Sequence, residues 1–323
     1  MAAVSGSSHV PHLVELRYLR PFDLDEVLVE EAAAWKASLD WDFEPSAGLV
    51  RRFVDMQALS GFALAVNGRA VGYSYFVCEE RKGLIGDLYV LKEYATADNE
   101  SRLLHAVLDG LLKTPLVKRV ESQLMMLRNS TRMALPHWRY LRMYHRDFME
   151  LNLEGVPRLP AAEASRWSVT DNWMEYRQDE AAVLIANAYQ GHIDSEINDQ
   201  YRTAAGARRF LMNIVQYPGC GSFFPPASLV AVDGHTGRLC GLCLSSLVSP
   251  DVGHITQVCV SKAVRGKGVG YQLMKQALEA LARHRCRKAS LTVTSVNTEA
   301  IELYSRLGFR KVKDFTAHVW EGF

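Results

Sequence analysis

Arg265-Gly266-Lys267-Gly268-Val269-Gly270 stands between an apolar run and an amphipathic one, and its reading decides the fold. The run ahead of it, His254-Ile255-Thr256-Gln257-Val258-Cys259-Val260, is short and rich in β-branched residues, which predicts a buried strand. The run behind it, Tyr271 to Arg283, spaces Leu273, Met274, Ala277, Leu278 and Leu281 by three and four, which predicts a helix with one apolar face. Glycines between a strand and a helix let the backbone turn tightly with no Cβ in a ligand's way. Several N–H groups and a helix N-terminus then converge on one spot. The amides of Gly266, Lys267, Gly268, Val269 and Gly270 are therefore a candidate cradle for an anion, a pyrophosphate above all. Taken alone, the glycines also fit a purely structural turn.

What the stretch lacks narrows the ligand. A P-loop needs Lys followed by Ser or Thr after its last glycine, whereas Tyr271-Gln272 follow Gly270. A dinucleotide fingerprint needs G-x-G-x-x-G and an acidic residue about 20 positions on. Here the spacing is wrong and that position falls among Arg285, Arg287 and Lys288.

Downstream, Ser290-Leu291-Thr292-Val293-Thr294 predicts a second strand, and Asn297 to Leu307 a short helix ending at Gly308-Phe309. With these in place the chain resembles the GNAT superfamily of acyl-CoA-dependent N-acyltransferases. Arg265, Gly268 and Gly270 match its R/Q-x-x-G-x-G/A pattern. Asn297, Ala300, Leu303, Tyr304, Leu307, Gly308 and Phe309 match N-x-x-A-x-x-L-Y-x-x-L-G-F. The resemblance implies an α/β fold with a mixed sheet for the C-terminal half.

It also implies acetyl-CoA as the donor and a primary amine of a small molecule as the acceptor. The pyrophosphate would rest on residues 266–270, with charge from Arg265 and Lys267. The pantetheine arm would pair with the strand edge at Val258 and Val260, whose amides would polarise the thioester carbonyl. Tyr304 stands in the family's general-acid position. His254 stands where many members carry a catalytic glutamate, and it is read either as the base or as a hydrogen-bonded strand residue. Asn297 is read as a pantetheine contact, a helix N-cap, or both. The acceptor end falls in the segment containing Tyr189, His192, Asp194 and Glu196, where three acids and two tyrosines within 13 residues suit a cationic amine or form a solvated loop. A non-catalytic acyl-CoA sensor is the alternative function; the presence of Tyr304 and Asn297 favours the enzyme.

A weaker copy of this organisation precedes the first. Leu16 to Arg20 predicts a strand, Asp23 caps a helix through about Leu39, Gly61 to Gly72 is a hairpin turning at Asn67-Gly68, and Leu84 to Leu91 is a strand. Where the second lobe has glycines, the first has Ala95-Thr96-Ala97-Asp98-Asn99-Glu100, with two acids that oppose an anion. Trp138 to Met143 is set against Tyr304 to Phe309. The expectation is two tandem GNAT-like domains, a degenerate one over residues 14–155 and a catalytic one over 166–323. A Pro- and Ala-containing linker, 156–165, joins them, an arrangement similar to that of mycothiol synthase. The sequence leaves the oligomeric state open; two lobes packed as a pseudo-dimer would be compatible with a monomer.

The 323 residues carry a net charge of +1, which gives no electrostatic case for nucleic acid or an anionic membrane. No run approaches 18 apolar residues and the N-terminus lacks a signal-peptide pattern, so a cytoplasmic protein is expected. The six cysteines mostly lie in apolar runs. Cys240-x-x-Cys243 lacks a second ligand pair and sits in a strand whose alternation would send the two thiols to opposite faces, so no metal is expected.

Overall fold

The computed structural model describes residues 10–130, 132–160, 168–217 and 219–323. The chain divides into two compact units: one runs to Tyr144 and takes back Phe315–Phe323, and the other is His145–Asp314. This corrects the expected boundary near residue 160. The strand that begins the second unit is claimed earlier in the chain by a seven-residue backbone ladder, and Val156, expected in the linker, is buried in the second core. Residues 161–165 of the expected linker lie outside the described residues.

The first unit holds β1 (His12–Glu15), α1 (Asp25–Leu39), α2 (Glu44–Asp55), β2 (Ser60–Val66), β3 (Arg69–Glu79), β4 (Lys82–Val90), α3 (Ala97–Leu112) and β5 (Arg119–Gln123). Its sheet order is β1-β2-β3-β4-β5, and the C-terminal stretch adds antiparallel to β5, Ala317 to Glu321 against Gln123 to Arg119. That stretch buries Phe315, Ala317, Val319 and Trp320, and the Trp320 indole donates to Pro136 O at 2.8 Å. The β2–β3 hairpin turns at Asn67-Gly68 as expected, both with positive φ, the pairing that suits the twist of a two-residue hairpin.

Two expectations for this unit fail. Leu16–Tyr18 is a 3-10 turn rather than a strand, closed by the Leu19 N–H on Leu16 O at 3.0 Å, with Leu16 buried in the core. Among the described residues no α-helix lies between Gln123 and Leu141. Trp138 sits on an exposed 3-10 turn, so it does not correspond to Tyr304.

The second unit holds β6 (Leu141–Asn152, from His145), β7 (Ser168–Asn172), α4 (Gln178–Ala188), α5 (Asp194–Ile197), α6 (Ala204–Gln216), β8 (Ser222–Phe223), β9 (Leu229–Asp233), β10 (Leu239–Ser249), β11 (Val252–Val260), α7 (Val269–Arg283), β12 (Lys288–Thr294), α8 (Thr298–Leu307) and the start of β13 (Arg310–Glu321). Its sheet runs β6-β12-β11-β10-β9-β7, with β8 on β10. Among its described strand pairs only β11 and β12 are parallel. One face packs on α4 and α6, the other on α7 and α8.

Cys240 and Cys243 share the α7 face. A bulge between Leu239 and Gly241 adds a residue and cancels the expected alternation. Burial raises both thiols, to about 11 and about 12. Among the described residues no group of three or more His, Cys, Asp or Glu is placed to hold a metal ion.

In the first unit, Glu31 of α1 and Asp87 of β4 are buried carboxyls hydrogen-bonded to each other; Glu31 also accepts from Tyr73 Oη at 2.8 Å and from the Trp35 indole at 3.4 Å. Burial first, and then the neighbouring carboxyl, hold Glu31 well above the usual carboxylate range; burial raises Asp87. The folded unit therefore keeps a proton that the unfolded chain releases once pH exceeds the carboxylate range, and stability falls as pH rises through it. Glu31→Gln should leave stability near pH 4.5 little changed and raise it at pH 8. Urea midpoints at the two pH values test this. A variant weakened more at pH 8 than at pH 4.5 would show that the pair is content ionised.

Candidate active site

The site begins where a ladder stops. β11 and β12 pair from Val252↔Lys288 to Ile255↔Leu291 and no further, while β12 continues against β6 through Thr294↔Arg146. A bulge between Leu244 and Ser245 of β10 falls opposite Thr256, at the same level. From Thr256 to Val260, β11 thus has a ladder on its β10 side alone, and Val258 and Val260 lie on the open edge expected to take an extended ligand.

Beyond that edge comes the glycine stretch. Gly266 and Gly268 take φ of +74° and +79°, a region L-residues rarely adopt, and Gly268 is the N-cap residue of α7. Open space surrounds the position of a Cβ at Gly266, and one at Gly270 would only touch Val260 and Leu303. The first-turn amides of Val269, Gly270 and Tyr271 have no intrahelical partner, since the first returning bond is Gln272 N–H to Gly268 O. This chemistry and shape fit a pyrophosphate. The Lys267 amide is spoken for by Val264 O, and the Arg265 guanidinium donates to Ala188 O at 2.9 Å. Arg265 thus also caps the end of α4.

The first unit repeats the splay and closes it. β4 and β5 pair only from Lys82↔Arg119 to Ile85↔Ser122, with a bulge between Tyr75 and Phe76. There the Tyr75 ring lies against Gly86, so close that a Cβ would sit 2.1 Å from it. The next helix, α3, is capped by its own neighbourhood: Thr96 Oγ1 accepts the Asn99 N–H, and Asn99 donates to Tyr94 O. Glu100 is turned inward, accepting the amides of Arg128 and Asn129 at 3.1 and 2.9 Å, while Asp98 is exposed.

Around the second unit's splay, side chains gather on the face of α4 and α6. Tyr189 Oη donates to Val258 O at 3.2 Å and receives Gln257 Nε2 at 2.9 Å; Tyr201 Oη donates to Gln257 Oε1 at 3.1 Å, and the two tyrosine rings stack at 4.6 Å. Asp194 accepts from Thr294 Oγ1, and its backbone N–H donates to His192 Nδ1 at 3.1 Å. His192 Nε2 lies 3.4 Å from Asn297 Nδ2, while Asn297 Oδ1 caps α8 by accepting the Ala300 N–H, so the N-cap reading of Asn297 is realised. Arg146 reaches Thr292 Oγ1 at 3.0 Å and Asp194 at 3.7 Å.

Tyr304 is buried nearly two turns into α8, and among the described residues its hydroxyl has no hydrogen-bond partner. Burial, then the Asp194 carboxylate, raise it well above the ordinary phenol value. The structure thus brings Tyr189, His192, Asp194, Asn297 and Tyr304 into one neighbourhood. Glu196 instead pairs with Arg202, away from this group. Sequence reading did not single out Gln257, Thr294 or Arg146. The first two were lost among apolar strand residues, and the third stands before the expected boundary.

His254 occupies the paired half of β11, one residue before the ladder ends. It is buried, its Nδ1 2.9 Å from Ser290 Oγ and its ring 6.1 Å from that of Phe148. Burial lowers its pKa to about 4, so it is neutral at ordinary pH.

The chain matches the acetyltransferase (GNAT) family over residues 195–309. It is 31% identical over 103 residues to a mycothiol acetyltransferase of Acidimicrobium ferrooxidans, covering 31% of this chain and 33% of that one. It is 34% identical over 61 residues to the N-alpha-acetyltransferase MAK3 of Arabidopsis thaliana, covering 19% and 32%. The chain thus spans about a third of the length of these curated relatives. Across the whole chain the fold matches a GCN5-related N-acetyltransferase from Sphaerobacter thermophilus, with TM-score 0.68 and 18% identity over 96% of this chain and 95% of that one. It also matches a tandem GNAT protein from the clavulanic acid biosynthesis pathway, with TM-score 0.62 and 17% identity over 97% and 98%.

The neutral His254 carries a stability consequence. The unfolded chain takes up a proton near pH 6.5 that the folded unit refuses until about 4, so stability is lost as pH falls through that window. The full loss is on the order of 3 kcal/mol. His254→Asn should make this acid limb shallower, leaving the part owed to His318, which burial also lowers to about 4, read as urea midpoints between pH 7 and pH 4. An acid limb as steep as in the wild type would show that His254 is already protonated when folded.

Proposed function

We propose that the chain is a tandem-domain member of the GNAT superfamily whose second unit is an acetyl-CoA-dependent N-acetyltransferase for a small amine, while the first unit does not hold the donor. The observation that carries this is the coincidence, within one unit, of an open strand edge, an uncapped glycine turn and a buried tyrosine with a free hydroxyl. Acetyl-CoA supplies an activated acetyl group: a C–N bond forms as the C–S bond breaks, and the electron pair left on sulfur needs a proton.

The amides of Gly266, Gly268, Val269 and Gly270 would hold the pyrophosphate, and the edge at Val258 and Val260 the pantetheine arm. Tyr304 supplies the proton from Oη. A phenol raised by burial is a weaker acid, but the same dry surroundings raise the basicity of the departing thiolate, so the match is kept and the donor is always charged with its proton. His254 is a poor base, since a group that holds a proton only below about pH 4 gives little driving force for taking one from an amine. The acceptor's proton is assigned to solvent, which also reloads Tyr304. Gln257, by tying Tyr189 and Tyr201 to β11, fixes the aromatic wall beside the acceptor.

Tyr304→Phe keeps the ring and removes the donor. Turnover, followed as coenzyme A release, should fall on the order of 10²-fold or more with donor affinity nearly unchanged. Wild-type turnover in that variant, with chemistry rate-limiting, would remove the general-acid role. Calorimetric titration with acetyl-CoA should return one site per chain; two comparable sites would restore donor binding to the first unit.

A further inference from the structure

The acceptor side of the second unit carries charge of both signs with capacity to spare. Arg146, on β6 directly across from Thr294, uses one nitrogen on Thr292 and another, loosely, on Asp194 at 3.7 Å. Its Nε is buried and has no acceptor among the described residues. A guanidinium has five N–H donors arranged as a fork, and a buried donor left without an acceptor destabilises the fold that holds it. Asp194 is equally under-used. Thr294 serves its Oδ1, while Oδ2 has only His192 at 3.7 Å. Both side chains keep some contact with solvent, at 12% and 16% exposure, so a ligand can reach them. Both charges also act on the Tyr304 hydroxyl and on Tyr201, which places them around the reacting end of the site.

A fully formed salt bridge would close this arrangement, yet the pair stands apart, each partner held by a threonine of β12. We propose that the acceptor is an amino acid or a similar zwitterion, its carboxylate read by the Arg146 fork and its ammonium end by Asp194, with its body against Tyr189 and Tyr201. The inference rests on reading this unit as the acetyl-transfer unit. The ammonium first gives one proton to solvent; the neutral amine then exchanges one N–H hydrogen for the acetyl group and coenzyme A leaves as the thiol, with neither oxidant nor reductant consumed. Acetylation also erases the acceptor's positive charge. The product is then an anion facing the Asp194 carboxylate, which favours its departure, so the same pair serves binding and release.

The test compares coenzyme A release from acetyl-CoA with matched acceptors, phenylalanine against phenethylamine and leucine against isoamylamine, in the full chain. The wild type should favour the carboxylate-bearing partner in kcat/KM by about 10²-fold or more, as expected where a desolvated charge is left without its partner. In Arg146→Met that ratio should collapse toward one, mainly through KM, and Arg146→Lys should recover part of it. Thermal unfolding of the variants reports on folding, and the wild-type comparison stands without them. A wild-type preference for the plain amines, or a ratio unmoved in a folded Arg146→Met, overturns the zwitterion while leaving acetyl transfer intact. No coenzyme A release with any amine removes both.

Discussion

Everything in the second unit depends on a parallel ladder that ends after four residue pairs. β11 is committed to β10 along its whole length and β12 to β6, so once the two part after Ile255 and Leu291 neither can return to the other. The bulge opposite Thr256 sets both the place of parting and the facing of the residues beyond it, because one extra residue puts Gln257 and Cys259 on the face of α4 and α6. The glycine turn then needs to do only one further thing, which is to leave its amides unclaimed.

The first unit shows what the same skeleton does when side chains are free to fill it. Its ladder ends after the same four pairs and its bulge stands at the same level, but Tyr75 packs on Gly86, Glu31 and Asp87 share a buried proton, and α3 caps itself. The register of the splay is thus retained where the cradle has been replaced. Backbone geometry and ligand chemistry are separable layers of this fold.

Most of the second unit's skeleton was legible from spacing alone. The strand before Arg265, the amphipathic α7, the strand at Ser290 and the helix capped by Asn297 each announce themselves by local period and punctuation. What was not legible is non-local. Whether β6 pairs within the first lobe or with β12 depends on a partner some 140 residues away, and no local pattern at Leu141 to Asn152 records it. Cys240 and Cys243 were misread for a related reason: the bulge beside them lies in the pairing with β9, and strict alternation has no term for it. Arg146 was hidden by the first of these effects, being a charged residue on the wrong side of an assumed boundary. Tyr189 and Asp194 were legible only as members of a polar loop, and their convergence comes from Gln257 and Thr294, which look unremarkable in sequence.

The return of the last residues to the first unit also bears on how this protein is made. β5 emerges from the ribosome almost two hundred residues before the strand that pairs with it, so the first unit waits roughly ten to forty seconds for its missing edge at ordinary elongation rates. During that interval β5 offers an open backbone edge to any passing strand. The usual order, in which an N-terminal domain folds while the rest is still being synthesised, is therefore reversed. His145–Asp314 has all of its strands in hand first, and the N-terminal unit is finished only when Phe315–Phe323 has followed.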